Sequence, residues 1–83
     1  MRHYVYLIVS SYKKNRLISY VGYTNNLKKR LFLHNSSKGA KFTRGKQWNY
    51  AYFKGYNSKI KAMKEEYLLK KNTKKRNMIK KLY

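Results

Sequence analysis

The chain has 83 residues with 22 Lys and Arg against two acidic residues, for a formal net charge of +20. That length bounds a single domain, residues 1–83, with a modest core; the absence of Cys excludes disulfides and zinc fingers, and two His are too few for a His-rich metal site. No apolar run approaches the about 20 residues of a membrane span, and the N-terminus lacks a signal-peptide pattern, so a cytoplasmic protein with no membrane partner is expected.

Tyr4 to Val9 is β-branched and aromatic and predicts a strand. Ser10 to Asn15 is polar and reads as a hairpin turn, and Leu17 to Tyr23 predicts a second, antiparallel strand broken near its end by Gly22. Thr24 and Asn25 offer N-cap oxygens for a helix. Leu27, Leu31 and His34 share one face of it, and it ends around Asn35 to Ser37. Lys38 to Lys46 is a loop containing Gly39, Lys41, Arg44 and Gly45. Trp48 to Phe53 predicts a third strand, with Trp48 and Phe53 read as core. Gly55 to Ser58 is a turn, with Asn57 or Ser58 as the cap of a helix from Lys59 to about Asn72. Its core stripe is read as Ile60, Met63 and Tyr67. Thr73 is a candidate cap for a last short helix whose Met78, Ile79 and Leu82 pack back. The fold class is therefore α/β of the α+β type: a three-stranded antiparallel sheet flanked by helices, in the order β-β-α-β-α-α.

A surface of one sign repels itself and disfavours the compact state. AT-rich coding accounts for abundant Lys but not for missing acids, so the depletion reads as a signal for phosphate binding. DNA is the expected partner, with RNA possible. An anionic membrane is the weaker competitor, because no basic helix with a broad apolar face is evident. The sequence carries no information on a partner subunit.

Two tyrosine triplets stand out, Tyr4-Val5-Tyr6 and Tyr20-Val21-Gly22. Arg30 and His34 follow four residues apart on the next helix, where they are neighbours, and Glu65 and Glu66 lie on a later one. In these residues the chain resembles the GIY-YIG nuclease domain, named for two such triplets on adjacent strands. Tyr6, Tyr20, Gly22, Thr24, Arg30, His34 and Glu66 match in order. The resemblance spans about Tyr4 to Asn72 and is closest to small single-domain members of YhbQ type, through Gly22-Tyr23-Thr24, the Arg30 to His34 spacing and Gly39-Ala40-Lys41. Branched-DNA nucleases and the N-terminal domain of UvrC look more distantly similar. Tyr4 stands where the name-giving triplet has Gly, and Asn26 where some members have an acid.

The resemblance implies a metal-dependent endonuclease that hydrolyses DNA phosphodiester bonds in repair or processing. The alternative is a non-catalytic basic DNA- or RNA-binding module on the same fold. The implied catalytic set is Tyr6, Tyr20, Arg30, His34 and Glu66, with Glu66 as ligand of Mg²⁺ or Mn²⁺. Such a hard cation takes oxygen ligands and keeps several waters, so one carboxylate plus substrate phosphate suffices. Glu66 is favoured over Glu65 because Ala62 stands four residues before it, as in family members. Adjacent helical residues point about 100° apart, so the two glutamates do not form a joint clamp. Arg30 is expected to hold phosphate. Tyr20 is assigned as general base and Tyr6 as the residue positioning water; a phenol of pKa about 10 is a poor base at pH 7 unless cations lower it. His34 is expected to assist proton transfer or touch phosphate. Lys28, Lys29, Lys41, Arg44 and Lys70 are the expected grips on the nucleic-acid backbone.

Overall fold

A computed structural model describes residues 2–11 and 16–83. Its elements run β1 (His3–Ser11), β2 (Leu17–Thr24), α1 (Leu27–Asn35), a single 3₁₀ turn (Lys41–Thr43), β3 (Asn49–Tyr56), α2 (Lys59–Lys71) and α3 (Thr73–Leu82). The three strands form one antiparallel sheet in the order β2-β1-β3. The α+β class and the element order expected from the sequence are those of the molecule. Of the predicted Ser10 to Asn15 turn, Ser10 and Ser11 extend β1, and residues 12–15 lie outside the described residues.

The central strand β1 is buried on both faces, which is why it reads as an unbroken apolar run. Successive side chains alternate between the two faces. Val5, Leu7 and Val9 join Val21, Ala62 and Leu69 in one core layer, under α2. Tyr6 and Ile8 join Trp48 in the other, where Leu27 and Leu31 of α1 pack. The sheet thus holds two cores, and Tyr6 and Tyr20 of the two triplets lie on the α1 side while Val5 and Val21 lie on the α2 side.

Several local expectations are corrected. Asn26 caps α1, its side chain accepting from the Lys29 amide at 3.0 Å. Thr24 closes β2 instead, its hydroxyl accepting from the Asn26 amide at 3.0 Å. Asn72, not Thr73, caps α3, while Ser58 caps α2 as one of the two expected candidates. The third strand begins after Trp48 and runs through Gly55 and Tyr56, because these continue the ladder against Tyr4 and His3. Phe53 is 54% exposed rather than core.

The largest correction concerns α2. Ile60, Met63 and Tyr67 face solvent, at 83%, 48% and 55% exposure, and Ala62 and Leu69 are the buried pair. Close approach of a helix to a sheet selects the small Ala62 at the contact, so the larger apolar residues lie on the opposite side. In α3, Ile79 packs against the core, whereas Met78 and Leu82 are exposed. Among the described residues no helix is long and apolar enough to cross a membrane.

Candidate active site

Tyr6 stands opposite Gly22 in the β1–β2 ladder, and Tyr20 stands opposite Ile8. Tyr20 and Gly22 are two apart, so Tyr6 and Tyr20 rise from one face as a diagonal pair. A Cβ on Gly22 would overlap the Tyr6 hydroxyl. Glycine at this position lets the phenol lie across β2 toward α1.

There the Tyr6 hydroxyl meets two residues of α1. Its oxygen accepts from Arg30 Nε at 3.2 Å and lies 2.8 Å from His34 Nε2. His34 Nδ1 in turn lies 2.8 Å from Thr43 Oγ1. The single Thr43 hydroxyl proton is donated to the Ala40 carbonyl at 2.8 Å. Thr43 must therefore accept from His34, which assigns the proton of the imidazole to Nδ1 and leaves Nε2 to accept from Tyr6. One directed chain results: Tyr6 donates to His34, His34 to Thr43, and Thr43 to the backbone.

Burial of this chain sets its protonation. Tyr6, His34 and Thr43 are all at 0% exposure. Burial raises the Tyr6 phenol above its ordinary value, against the hydrogen bond and charge of Arg30. Burial pushes His34 down to about 4, and the Arg30 charge adds to that. Both groups are therefore neutral at pH 7, as the directed bonds require.

The loop after α1 is built to reach His34. A Cβ on Gly39 would stand 2.5 Å from His34 Nδ1, so only glycine lets the backbone pass. Asn35 grips both backbone groups of Trp48, donating to its carbonyl at 3.1 Å and accepting from its amide at 2.6 Å. Trp48 Nε1 donates to the Thr43 carbonyl at 2.9 Å. Thr43, Gly39 and Trp48 are thus site-supporting residues that the sequence did not single out as such. Of the three, only Gly39 lay in a noted motif, since a loop Thr and a buried Trp carry no distinguishing local pattern.

Tyr20 packs its ring on His34, with centroids 5.4 Å apart and planes at 64°, and stacks on Phe42 at 6.1 Å and 19°. It is partly exposed, unlike Tyr6.

The two glutamates diverge. Glu66 is within electrostatic reach of Tyr6 and pairs with Lys70 at 3.5 Å, its own side chain only 19% exposed. Glu65 acts instead on Tyr56 of β3, and it lines a cavity with Tyr52, Leu68 and Lys75. The helical offset of adjacent residues leaves Glu66 in electrostatic reach of Tyr6 and Glu65 in reach of Tyr56 on β3. The Lys70 pair is a half-exposed i,i+4 contact, a class worth about 0.3–0.5 kcal/mol, so it does not lock Glu66. Among the described residues no cluster of three or more His, Cys, Asp or Glu is present. A lone, largely buried carboxylate fits Mg²⁺ or Mn²⁺ completed by water and substrate phosphate, and it does not fit an all-protein metal cage.

Of the expected phosphate grips, Lys29 lines a surface depression with Thr24, Asn26, Arg30 and Lys59. Lys70 lines a groove with Tyr20 and Phe42. Lys28, Lys41 and Arg44 are exposed, and Lys41 directly precedes Phe42.

A family model described as the GIY-YIG catalytic domain matches residues 2–80. A UPF0213 protein of Oceanobacillus iheyensis is 43% identical over 70 residues, covering 83% of this chain and 77% of that protein. A UPF0213 protein of Bacillus pumilus is 47% identical over 58 residues, covering 69% of this chain and 59% of that protein. One from Streptococcus pneumoniae is 47% identical over 53 residues, covering 63% and 54%. The chain thus spans little more than half the length of these last two. The solution NMR structure of a UPF0213 protein from Bacillus halodurans superposes with a TM-score of 0.51 at 36% identity, covering 99% of this chain and 85% of that one.

Proposed function

The chain belongs to the GIY-YIG catalytic domain family, and on that premise we propose that it is a metal-dependent endonuclease hydrolysing phosphodiester bonds of DNA in repair or processing. The observation that carries this reading is the hydrogen-bonded Arg30–Tyr6–His34 cluster, with Tyr20 packed on His34 and Glu66 in electrostatic reach of Tyr6.

Glu66 is the residue that would hold Mg²⁺ or Mn²⁺. The bound cation would neutralise charge developing on the phosphoryl and leaving oxygens. Arg30 uses Nε on Tyr6, which leaves its terminal N–H groups to bind a phosphate oxygen. Tyr6 and His34 are fully buried, so we assign them to holding Arg30 in place rather than to contact with phosphate. Proton transfer from Tyr6 to His34 is disfavoured, because burial raises the phenol and lowers the imidazole to about 4. Tyr20, partly exposed, is then the phenol we assign to take the proton of the attacking water. Exclusion of water from the Tyr6 layer strengthens every interaction there.

The test is a cleavage panel of duplex, nicked, branched and single-stranded DNA, with Mg²⁺ or Mn²⁺ and with EDTA. Cleavage of at least one substrate only with metal is expected. Intact DNA throughout, with salt-sensitive binding retained, would instead favour the non-catalytic module that the +20 charge alone supports. Preferential binding or cleavage of structured RNA would move the substrate from DNA to RNA.

A further inference from the structure

Between the exposed edge of β2 and the α2–α3 corner runs a groove of about 250 Å³, lined by Ser19, Tyr20, Val21, Phe42, Lys70 and Arg76. Three observations there have no role in the site described above. Phe42 is 52% exposed although it sits in the loop that holds His34. Its ring is propped rather than buried, stacked on Tyr20 at 6.1 Å, with Lys46 Nζ 5.4 Å from its centroid. In the same groove, Arg76 Nε is buried with no hydrogen-bond partner among the described residues, while its Nη2 donates to Thr73 at 3.1 Å.

An exposed aromatic ring that shares a groove with two cations is the pattern by which proteins take a nucleotide with its phosphate: the ring stacks a base and the cations hold the backbone. A buried guanidinium N–H without an acceptor costs stability, and a phosphate in the groove provides an acceptor toward which the side chain can turn. Resting on the endonuclease reading, we infer that this groove is a subsite for one unpaired nucleotide adjoining the scissile phosphate, its base stacked on Phe42 in place of the Lys46 ammonium that now lies over the ring, and its phosphate held by Lys70 and Arg76. A base inside a continuous duplex is stacked on both faces and has none to offer. The substrate class is therefore DNA with a single-stranded extension or branch beside the cleavage point, not uninterrupted duplex. Lys70 links the two sites, since it lines the groove and pairs with Glu66.

The test measures binding, without metal, by fluorescence anisotropy in EDTA, using a blunt DNA hairpin whose loop is a base-free polyether linker and the same hairpin with a single-stranded extension. The wild-type protein binds the extended hairpin more tightly. Phe42→Ala weakens that binding by roughly 5- to 150-fold, the equilibrium range for one base–aromatic stack, and leaves the blunt hairpin unaffected; Phe42→Tyr retains the preference. Arg76→Gln lowers the salt dependence on the extended hairpin by about one phosphate contact. Equal wild-type affinity for the two hairpins, equal loss on both from Phe42→Ala, or an unchanged salt slope in Arg76→Gln would overturn the subsite. Because no cleavage is read, a protein that binds this way yet never cuts refutes the endonuclease reading and leaves the subsite standing.

Discussion

His34 shows how one residue is assigned by its neighbours. Sequence places it one turn after Arg30 on the same helix face, which marks it without saying what it does. The structure buries it completely and bonds both ring nitrogens, to Tyr6 and to Thr43. That bonding predicts a pH dependence of stability. The folded-state pKa of about 4 lies below the usual 6.5. Between those values the unfolded chain binds the extra proton, so stability rises with pH through that window and is fully present above about 6.5. The size is roughly 3 kcal/mol at about 1.36 kcal/mol per unit. With only two carboxylates in the chain, this imidazole dominates acid unfolding between pH 6.5 and 4. Denaturant unfolding across that range is expected to show the slope in the wild type and a much flatter profile in His34→Gln. An equal slope in both would show that another group carries it.

Gly22 belongs to the same scale. Alanine is ordinarily better than glycine in a strand by about 0.5–1 kcal/mol. Here its Cβ would overlap the Tyr6 hydroxyl, and overpacking costs about 1–3 kcal/mol. The second effect is larger, so Gly22→Ala is expected to lower the melting temperature and, by displacing Tyr6 from Arg30, to reduce cleavage more than DNA binding. A melting temperature at or above wild type would contradict the close approach. Sequence showed the glycine as a strand interruption and the phenol as one of ten tyrosines. Their contact depends on strand register, which no single residue encodes.

At the scale of elements, most of the chain was legible because local signals agree with the fold. β-Branched and aromatic runs mark the strands, and Ser58 followed by a periodic run marks α2. The reading of α2 failed on phase. Two stripes are available on this helix, one of large residues at Ile60, Met63 and Tyr67 and one of Ala62 and Leu69. Size suggested the first, but packing distance selects the second. Ala62 is at 0% exposure in the core layer between α2 and the sheet. Ala62→Leu is expected to destabilise the protein by about 1–3 kcal/mol, whereas Met63→Ala stays within about 0.5 kcal/mol. Urea denaturation of the two variants checks the phase, and the reverse ranking would restore the larger stripe as core. The same phase orients Glu66 toward Tyr6 and Glu65 toward Tyr56. The misread core stripe does not bear on the proposed Glu66 assignment, because that rests on the family pattern around Ala62 and not on the apolar stripe.

At the scale of the molecule, the +20 charge and the lone inward carboxylate explain each other. The charge binds phosphate along the surface and weakens steeply with salt, but it also repels a divalent cation in the free protein. On the proposed reading, substrate phosphate would both neutralise that field and complete the oxygen shell of a cation held at Glu66. The grip and the chemistry are then separable by substitution. The most direct measurement is DNA cleavage in Mg²⁺, paired with binding in EDTA, for wild type, Glu66→Gln and Glu65→Gln. Glu66→Gln is expected to lose cleavage by a hundredfold or more while its affinity stays at or slightly above wild type, and Glu65→Gln is expected to behave as wild type in both. Undiminished cleavage by Glu66→Gln, or equal loss from both substitutions, would contradict the assignment of Glu66 as the residue that holds the metal.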